Sequence, residues 1–284
     1  MKLSHAELLR LELPEKRFRY DQRDCMLYAV GVGLGSDPLD RGQLSFVYEK
    51  DLKAMPSMAT VIAWDDSWMD AVGLDLPNTL HGEMRLRLDR PLPTAAEVTS
   101  RVRIKGAWDK GADRGAVLLV ETTITEADGG DRLCTLESVA FARGDGGFGG
   151  PEGNPAPLPR VPERAPDAVE TMPILRQAAL IYRLSGDRNP LHCDPGFAAQ
   201  GGFPEPILHG LCTWGHACHA VLRACCDYRP ERINSFAARF TAPVYPGETL
   251  KTEIWREGGR TQFRTFAVER ELLVLDRGLA DVAP

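Results

Sequence analysis

The 284-residue sequence contains no CxxC pair and no uninterrupted apolar run of the about 18 residues that a bilayer span needs. Its seven cysteines are odd in number and irregularly spaced, which favours free thiols in a reducing compartment over a disulfide framework. The charged N-terminal segment lacks the apolar core of a signal peptide, and the C-terminus is not of the Ser-Lys-Leu type that addresses proteins to peroxisomes. These absences predict a cytoplasmic protein that binds no membrane.

Basic clusters and nucleotide-binding motifs are missing as well. A net charge of -6 and a pI near 5.6, without runs of Lys and Arg interleaved with aromatics, argue against a nucleic-acid partner. Neither a GxGxxG fingerprint after a strand nor a P-loop occurs, so we expect no nicotinamide or nucleotide triphosphate cofactor. His216 and His219 share a predicted helix, but no carboxylate or thiolate accompanies them at a metal-site spacing, so we also expect no metal.

A Gly- and Pro-rich stretch at residues 144–166 is the clearest break in the chain. It leaves two parts of ordinary domain size, and a hydrophobic content of 43% is enough for a buried core. We therefore predict an N-terminal domain over residues 1–145, a linker over 146–168 and a C-terminal domain over 169–284.

Hydrophobic periodicity predicts an α+β protein. Apolar residues recur at helical spacing over residues 208–226, which predicts one long helix. Alternating or β-branched runs between Gly, Asp and Pro turns predict strands at residues 84–88, 98–104, 116–124, 133–141, 249–255, 262–269 and 272–275. A helix followed by several antiparallel strands, in each part of the chain, is an α+β architecture.

The segment YRLSGDRNPLHCDP at residues 182–195 concentrates chemistry-bearing side chains. It places an acid (Asp187), an amide (Asn189) and an imidazole (His192) within six residues, and a Pro-broken stretch then leads into the predicted long helix. Taken alone, an Asx turn beside a surface histidine explains such residues equally well. The wider pattern around them decides between these interpretations.

That wider pattern, YRLSGDxNPLHxDP followed by GF, PILHGL and YPGE, resembles the signature of the MaoC-like, (R)-specific enoyl-CoA hydratases, also called type-2 enoyl-CoA hydratases. The resemblance extends from about residue 20 onward and is to the double-length members of the family. It implies two hot-dog folds in tandem, each an antiparallel sheet wrapped around a long helix, with the chemistry in the C-terminal one.

The resemblance also implies an activity. Such enzymes are lyases that reversibly hydrate trans-2-enoyl-CoA to (R)-3-hydroxyacyl-CoA without a cofactor, in fatty-acid β-oxidation or a related acyl-CoA pathway such as sterol side-chain breakdown. The family's water-holding Asp and His match Asp187 and His192, its amide residue matches Asn189, and its helix-start N–H matches Gly210. An acyl-CoA thioester is the implied partner, and a homodimer is the implied assembly.

These residue types suit the reaction on chemical grounds too. A paired imidazole and carboxylate can orient a water and accept its proton. Negative charge then develops on the thioester oxygen, and a helix that starts at Gly210 offers unpaired N–H groups to stabilise it. The sequence therefore predicts both an acid-base pair and an oxyanion hole.

Other residues are candidates for binding the substrate. His209 precedes the helix and is a candidate for ligand contact, although it also suits a structural position there. CoA carries phosphates, and Lys110, Arg239 and Arg260 are candidate cations for them. Each of the three equally suits a solvated charge or an ion pair.

The two parts carry their landmarks in the same order, which suggests an internal duplication. When Tyr28 is aligned with Tyr182, the acid, amide and imidazole of the second part face Gly33, Gly35 and Pro38 in the first. None of these three side chains can exchange a proton. The first part is therefore predicted to be a degenerate copy.

A degenerate first part can still shape the site. We expect it to complete the pair of folds and to accommodate the acyl chain, with residues 63–69 as candidate lining, although their two tryptophans also suit an ordinary core. The pair His81-Gly82 is interpreted as the counterpart of His209-Gly210.

Other functions are compatible with the same fold. A thioesterase or a dehydratase is one alternative, since fold alone does not decide function. A non-catalytic acyl-CoA binding subunit is another, but binding alone requires no acid-base pair. The acid, amide and imidazole together therefore favour the hydratase.

Overall fold

The computed structural model describes residues 3–284, apart from the side chain of Pro77. The strands of this range are β1 Lys16–Tyr20, β2 Thr79–Leu88, β3 Ala96–Asp109, β4 Ala116–Glu126, β5 Arg132–Ala142, β6 Ala168–Pro173, β7 Ile233–Phe240, β8 Thr249–Glu257, β9 Arg260–Ala267 and β10 Leu272–Val282. They form one antiparallel sheet in the order β1-β3-β4-β5-β2-β7-β10-β9-β8-β6. The sheet is the scaffold for everything else.

Helices and short turns accompany the sheet. Within residues 3–284 the α-helices are α1 His5–Arg10, α2 Gln22–Gly31, α3 Arg41–Leu44, α4 Ser67–Val72, α5 Ala178–Tyr182, α6 Pro195–Gln200 and α7 Gly210–Cys226. Short 3₁₀ turns include Pro56–Thr60, Arg183–Ser185 and Pro190–His192. None of the helices in this range combines the length and the apolar character that crossing a membrane requires.

The order of the strands is symmetric about the pairing of β2 with β7. Outward from that pair, β5, β4, β3 and β1 follow on one side, and β10, β9, β8 and β6 follow on the other. The register sets Glu83 opposite Arg239 and Arg87 opposite Ser235. Each half therefore contributes five strands in the same order, which supports the predicted internal duplication.

The long helix α7 is buried against the sheet on one side and against α2 on the other. Trp214 meets the ring of Phe236 on β7 edge-on, with ring centroids 4.8 Å apart. Gly215 lets α2 approach, because a Cβ there would lie 3.0 Å from the hydroxyl of Tyr28. A helix that is apolar on most sides is expected where neighbours cover all of them. The helix predicted over residues 208–226 is confirmed, with a start two residues later.

All seven predicted strands are present, and most extend beyond the predicted bounds. Three strands were missed. β1 and β6 are the edge strands of the sheet and keep many exposed side chains, so their hydrophobic alternation is weak. β7 carries consecutive alanines and arginine in place of the β-branched residues typical of strands.

The first half has helices before the strands β2 to β5, as predicted, but among its described residues no helix is as long as α7. The segment Pro56–Thr60 forms only a 3₁₀ turn, and the β-branched run at residues 60–62 disfavours continuation as a helix. The interpretation of His81-Gly82 as the counterpart of His209-Gly210 is wrong. Both residues lie inside β2, where the register against β5 shifts between His81 and Glu83.

The Gly- and Pro-rich stretch is held against the sheet. It crosses the face opposite α7, where side chains that alternate with the core residues point outward. Its carbonyls accept hydrogen bonds from that face: Arg85 to Ala156 O at 2.7 Å, Arg277 to Leu158 O at 3.0 Å, Gln262 to Arg160 O at 2.7 Å and Trp255 to Arg164 O at 2.8 Å. The stretch therefore spans both halves as a strap.

Several histidines are buried in a neutral form. His219 is 2% exposed, and its Nδ1–H donates to the main-chain oxygen of Val32 at 3.2 Å. Burial lowers the pKa of His219 to about 4, and burial lowers the pKa of His81 to about 4 as well. An unfolded chain takes up these protons near pH 6.5, so between about pH 4 and 6.5 the unfolded state binds more protons than the folded state. The free energy of unfolding therefore falls as the pH drops through this window.

We expect His219→Gln to make the free energy of unfolding less dependent on pH. Each buried neutral histidine contributes a slope of about 1.4 kcal/mol per pH unit between about pH 4 and 6.5, with stability rising toward neutral pH. Urea unfolding at about pH 5, 6 and 7 measures this slope in the wild type and the variant. His81→Gln provides an independent repeat at a distant site. Equal slopes in the wild type and both variants would contradict the buried neutral state.

Candidate active site

The chemistry-bearing loop lies between α5 and α6 and is shaped by two successive Asx turns. Asp187 Oδ1 accepts a hydrogen bond from the N–H of Asn189 at 3.1 Å, and Asn189 Oδ1 accepts from the N–H of Leu191 at 3.0 Å. Gly186 precedes them with φ of 141°, a conformation that residues with a Cβ rarely adopt. The Asx turns that could by themselves explain the acid and the amide in this loop are present. They also bring Asp187 beside His192.

Two histidines stack over this loop. His192 is 8% exposed, and its Nδ1–H donates to the main-chain oxygen of Ile207 at 2.9 Å, which leaves Nε2 able to accept a proton. His209 Nε2–H donates to the main-chain oxygen of Asp187 at 3.2 Å. The two rings stack with centroids 3.7 Å apart. One polar atom each of Asp187, His192 and His209 lies within 4.8 Å of the others, so the three form a single cluster.

Burial controls the charge of this cluster. Burial raises the pKa of the Asp187 carboxyl, against the effect of the Asn189 N–H and of His192. Burial likewise lowers the pKa of His192, against the attraction of Asp187. Burial, and then repulsion from His192, lowers the pKa of His209 to about 3. Both imidazoles are therefore neutral near pH 7, and His192 is in the form that accepts a proton.

The cluster is arranged for proton transfer more than for metal binding. Asp187, His192 and His209 each offer one donor atom at metal-ligand reach. However, the two imidazole planes differ by only 26°, and nitrogen lone pairs lie in the ring planes, so they do not converge on one point as a tetrahedral site requires. The absence of a metal stays a prediction from the sequence.

The helix α7 begins at Gly210, directly after His209. The main-chain oxygen of His209 accepts from the N–H groups of Cys212 and Thr213, at 3.0 and 3.2 Å. The N–H of Gly210 belongs to the first turn, where no intrahelical acceptor exists, and Gly210 is exposed. The residue predicted to supply an oxyanion-hole donor is therefore next to the histidine cluster, with its N–H available to a ligand.

Two of the predicted phosphate-binding cations are engaged or oriented elsewhere. Lys110 follows the end of β3, and its Nζ donates to the main-chain oxygen of Gly153 in the strap. Arg239 lies on β7 next to the fully buried Ala238. Successive strand residues face opposite sides of a sheet, so the Arg239 side chain lies on the face away from α7. The structure does not bring either cation to the cluster.

Arg260 is also distant from the cluster. It pairs with Asp281, which in turn pairs with Ser235 near the start of β7. The N-terminus of α7 lies at the other end of β7, where a Cβ on Gly210 would be 3.3 Å from the ring of Phe240. The separation along the strand is about 17 Å. Arg260 therefore lies away from the cluster, and its role in binding a CoA phosphate stays a prediction.

Arg183, which is not among the predicted site residues, is a cation near the cluster. Its charge acts on both Asp187 and His209, and its Nε is buried with no partner among residues 3–284. Its place just before the acid in the YRLSGD motif was the available signal.

A cavity of about 270 Å³ borders the loop and is walled by both halves of the chain. Its lining consists of Phe18, Arg19, Tyr20, Asp24, Leu27, Met58, Val61, Ile62, Trp64, Leu184, Ser185 and Gly186. Trp64, from the segment expected to line an acyl tunnel, forms part of this wall. Trp68 of the same segment instead packs in a separate core with Leu8 and Val72.

Comparisons with known proteins identify the family of the chain. Residues 158–277 match the family model described as MaoC like domain, and residues 18–144 match MFE-2 hydratase 2 N-terminal domain. The chain is 40% identical to the Enoyl-CoA hydratase ChsH3 of Mycobacterium tuberculosis over 94% of both chains. It is 38% identical to the peroxisomal Enoyl-CoA hydratase 2 of Arabidopsis thaliana, over 97% of this chain and 94% of that one. The crystal structure of a MaoC-like dehydratase from Phytophthora capsici superimposes with a TM-score of 0.86, at 30% identity and 98% coverage of both chains.

The fold is a double hot-dog, as predicted, in which two α+β units share one antiparallel sheet. The chain belongs to the MaoC-like dehydratase family and has the two-part organisation of the type-2 enoyl-CoA hydratases. The family resemblance drawn from the YRLSGDxNPLHxDP pattern is confirmed.

We expect the imidazoles of His192 and His209 to stay neutral at pH values where an exposed histidine is protonated. Burial is the cause, and His209, with its pKa lowered to about 3, should show no titration between about pH 5 and 7. NMR of protein labelled at histidine Cε1 measures this, with His192→Gln and His209→Gln assigning the two signals. A His209 signal that titrates near pH 6.5 would overturn the description of the cluster.

Proposed function

We propose that this chain catalyses the reversible hydration of trans-2-enoyl-CoA to (R)-3-hydroxyacyl-CoA in fatty-acid or related acyl-CoA metabolism. The observation that carries the proposal is the cluster of Asp187, His192 and His209, which directly precedes the exposed Gly210 at the start of α7 and adjoins the loop that lines a cavity. An acid-base pair next to an unpaired helix N–H is what addition of water to a thioester-activated double bond requires. Membership of a family whose relatives are named enoyl-CoA hydratases supports the same conclusion.

The reaction uses one water. The water lies between the Asp187 carboxylate and Nε2 of His192. Nε2 of His192 accepts a proton from this water while the water oxygen bonds to C3 of the enoyl chain. The π electrons of the C2–C3 bond move toward the thioester oxygen and form an enolate. Transfer of a proton from Nε2 of His192 to C2 converts the enolate into the 3-hydroxyacyl thioester and completes the addition. One water adds across one double bond, so the step needs no redox cofactor.

Two main-chain N–H groups and one cation assist this pair. The N–H of Asn189 holds the Asp187 carboxylate in place. The N–H of Gly210 stabilises the charge on the thioester oxygen, helped by the positive end of the α7 dipole. The Arg183 charge lies close enough to act on Asp187 and suits the anionic enolate as well. His209 orients the loop through its hydrogen bond to the main-chain oxygen of Asp187.

We also propose the division into an N-terminal domain over residues 1–145, a linker over 146–168 and a C-terminal domain over 169–284. The family matches at residues 18–144 and 158–277 support it. In this scheme the first domain houses the acyl chain, since residues such as Leu27, Met58 and Ile62 provide apolar wall for the cavity. The homodimer, the cytoplasmic location and the absence of nucleic-acid and membrane partners stay predictions.

The dehydratase alternative is the same reaction in reverse and uses the same groups. A thioesterase would direct water at the carbonyl carbon, and a binding subunit would need no buried acid-base pair. No observation in the described residues favours either of these two over hydration.

We expect the purified protein to hydrate crotonyl-CoA and a longer trans-2-enoyl-CoA to the (R)-product. Asp187→Asn and His192→Gln should each lower kcat by about 10²–10⁴ while the circular dichroism spectrum stays unchanged, because each removes one member of the pair that handles the proton. Loss of enoyl absorbance and chiral analysis of the product measure this. Release of free CoA without hydration would indicate a thioesterase, and near-normal turnover in either variant would refute the assigned roles.

The oxyanion role of Gly210 is tested by Gly210→Pro against Gly210→Ala. Proline is tolerated at the first helical position and removes the N–H, and His209 with ψ of 133° has the extended conformation that a residue before proline requires. Both variants add a Cβ near Phe240, so alanine controls for that contact. We expect kcat of the proline variant to be about 10²–10³ lower than that of the alanine variant. Equal kcat values in the two would exclude this N–H from the reaction.

A further inference from the structure

The peptide that precedes Asp187 lies directly against the first half of the chain. A Cβ built on Gly186 would be 2.9 Å from Cβ and 3.1 Å from Cγ of Trp64, so only glycine fits in this position. The φ of 141° at Gly186 requires glycine independently. The acid of the cluster is therefore attached to a backbone unit whose place is defined by a tryptophan from the other half.

Trp64 is itself held by a part-buried ion pair at the next residue. Asp65 Oδ1 accepts from Lys16 Nζ at 2.7 Å and from the N–H of Ser67 at 3.1 Å, and Lys16 Nζ also reaches Ser67 Oγ at 2.6 Å. The Asp65 side chain is only 13% exposed. Lys16 begins β1, so this clamp of Lys16, Asp65 and Ser67 anchors the Trp64 segment to the edge of the sheet.

The segment that contains Trp64 also places a negative charge near Asp187. Asp66 follows the clamp, and its negative charge acts on Asp187 in the direction that raises the pKa of that carboxyl. Trp64 also lines the cavity together with Ser185 and Gly186. One short segment of the first half therefore touches the loop by packing and by charge.

We infer that Trp64, held by the clamp of Lys16, Asp65 and Ser67, is a positioning residue that fixes Gly186 and through it the Asp187 carboxylate. The inference rests on the proposed hydratase function. It gives the first half a part in the rate of the chemical step, beyond housing the acyl chain. Displacement of a reacting group by about 1 Å can cost about 10² in rate, so a loosened wall should be visible in kcat.

The first test compares Trp64→Ala with Trp64→Phe on crotonyl-CoA and on a long-chain enoyl-CoA. Phenylalanine keeps the Cβ and Cγ that face Gly186, and alanine does not keep Cγ. We expect alanine to lower kcat for crotonyl-CoA about 10- to 100-fold with KM changed less than about threefold, and phenylalanine to keep most of the wild-type kcat. If Trp64 only walls the cavity, alanine will alter KM for the long chain and leave kcat for crotonyl-CoA intact, which overturns the inference.

The second test acts on the clamp, away from the loop, and decides the matter if the alanine variant does not fold. Lys16→Met removes the ion pair with Asp65, and Lys16→Arg restores a cation. Arg17→Met is the matched control, since Arg17 neighbours Lys16 on β1 but pairs with the exposed Asp128 at 2.5 Å. We expect kcat to fall about 10-fold in Lys16→Met, to recover in Lys16→Arg and to stay unchanged in Arg17→Met.

Either of two results contradicts the clamp: a wild-type kcat in Lys16→Met, or equal losses in Lys16→Met and Arg17→Met. Failure of the proposed function is distinct from both, because the wild-type protein would then hydrate neither substrate.

Discussion

Main-chain hydrogen bonds between β2 and β7 join five strands from each half into one sheet, and the remaining features of the molecule depend on that pairing. If the halves were separated, β2 and β7 would each become an edge strand with unpaired main-chain groups exposed to solvent. When the halves are joined, α7 packs on β7 of its own half and also contacts α2 of the other half. Tyr28 and Tyr182, at matching positions in the two halves, come to lie with ring centroids 5.8 Å apart. The strap on the opposite face of the sheet also links the two halves, because its main-chain oxygens accept hydrogen bonds from Arg85 in the first half and Arg277 in the second.

The joined halves have become unequal in a way that explains the site. Among the described residues the longest helix lies in the second half, and its N-terminus places the exposed Gly210 beside His209. In the first half the corresponding segment is reduced to the turn Pro56–Thr60, and residues that follow this turn line the cavity. Loss of a helix from one unit thus leaves space that the other unit's chemistry can use. The asymmetry has a physical basis, since a second full helix would fill that space.

The buried setting of the cluster determines how it is charged. Asp187 and His192 are each driven toward their neutral forms by burial, while their mutual attraction opposes this. Burial and mutual attraction thus act in opposite directions on the charges of a pair that must accept a proton and pass it on. Arg183 and Asp66 act on the acid with opposite signs and adjust that balance from two sides.

The sequence by itself determined the chemistry and the kind of fold. The motif of residues 182–195 carries its acid, amide and imidazole in one loop, and hydrophobic periodicity within single segments located α7 and seven of the strands. Local patterns succeed there because each depends on neighbouring residues. They failed for the edge strands β1 and β6 and for the bulge at His81, because the position of these residues depends on strand pairing. Only the tertiary structure decided that Trp64 meets Gly186, that the strap crosses both halves and that His209 stacks on His192. Contacts between residues distant in the chain are set by how the sheet brings its elements together, and no single segment contains that information.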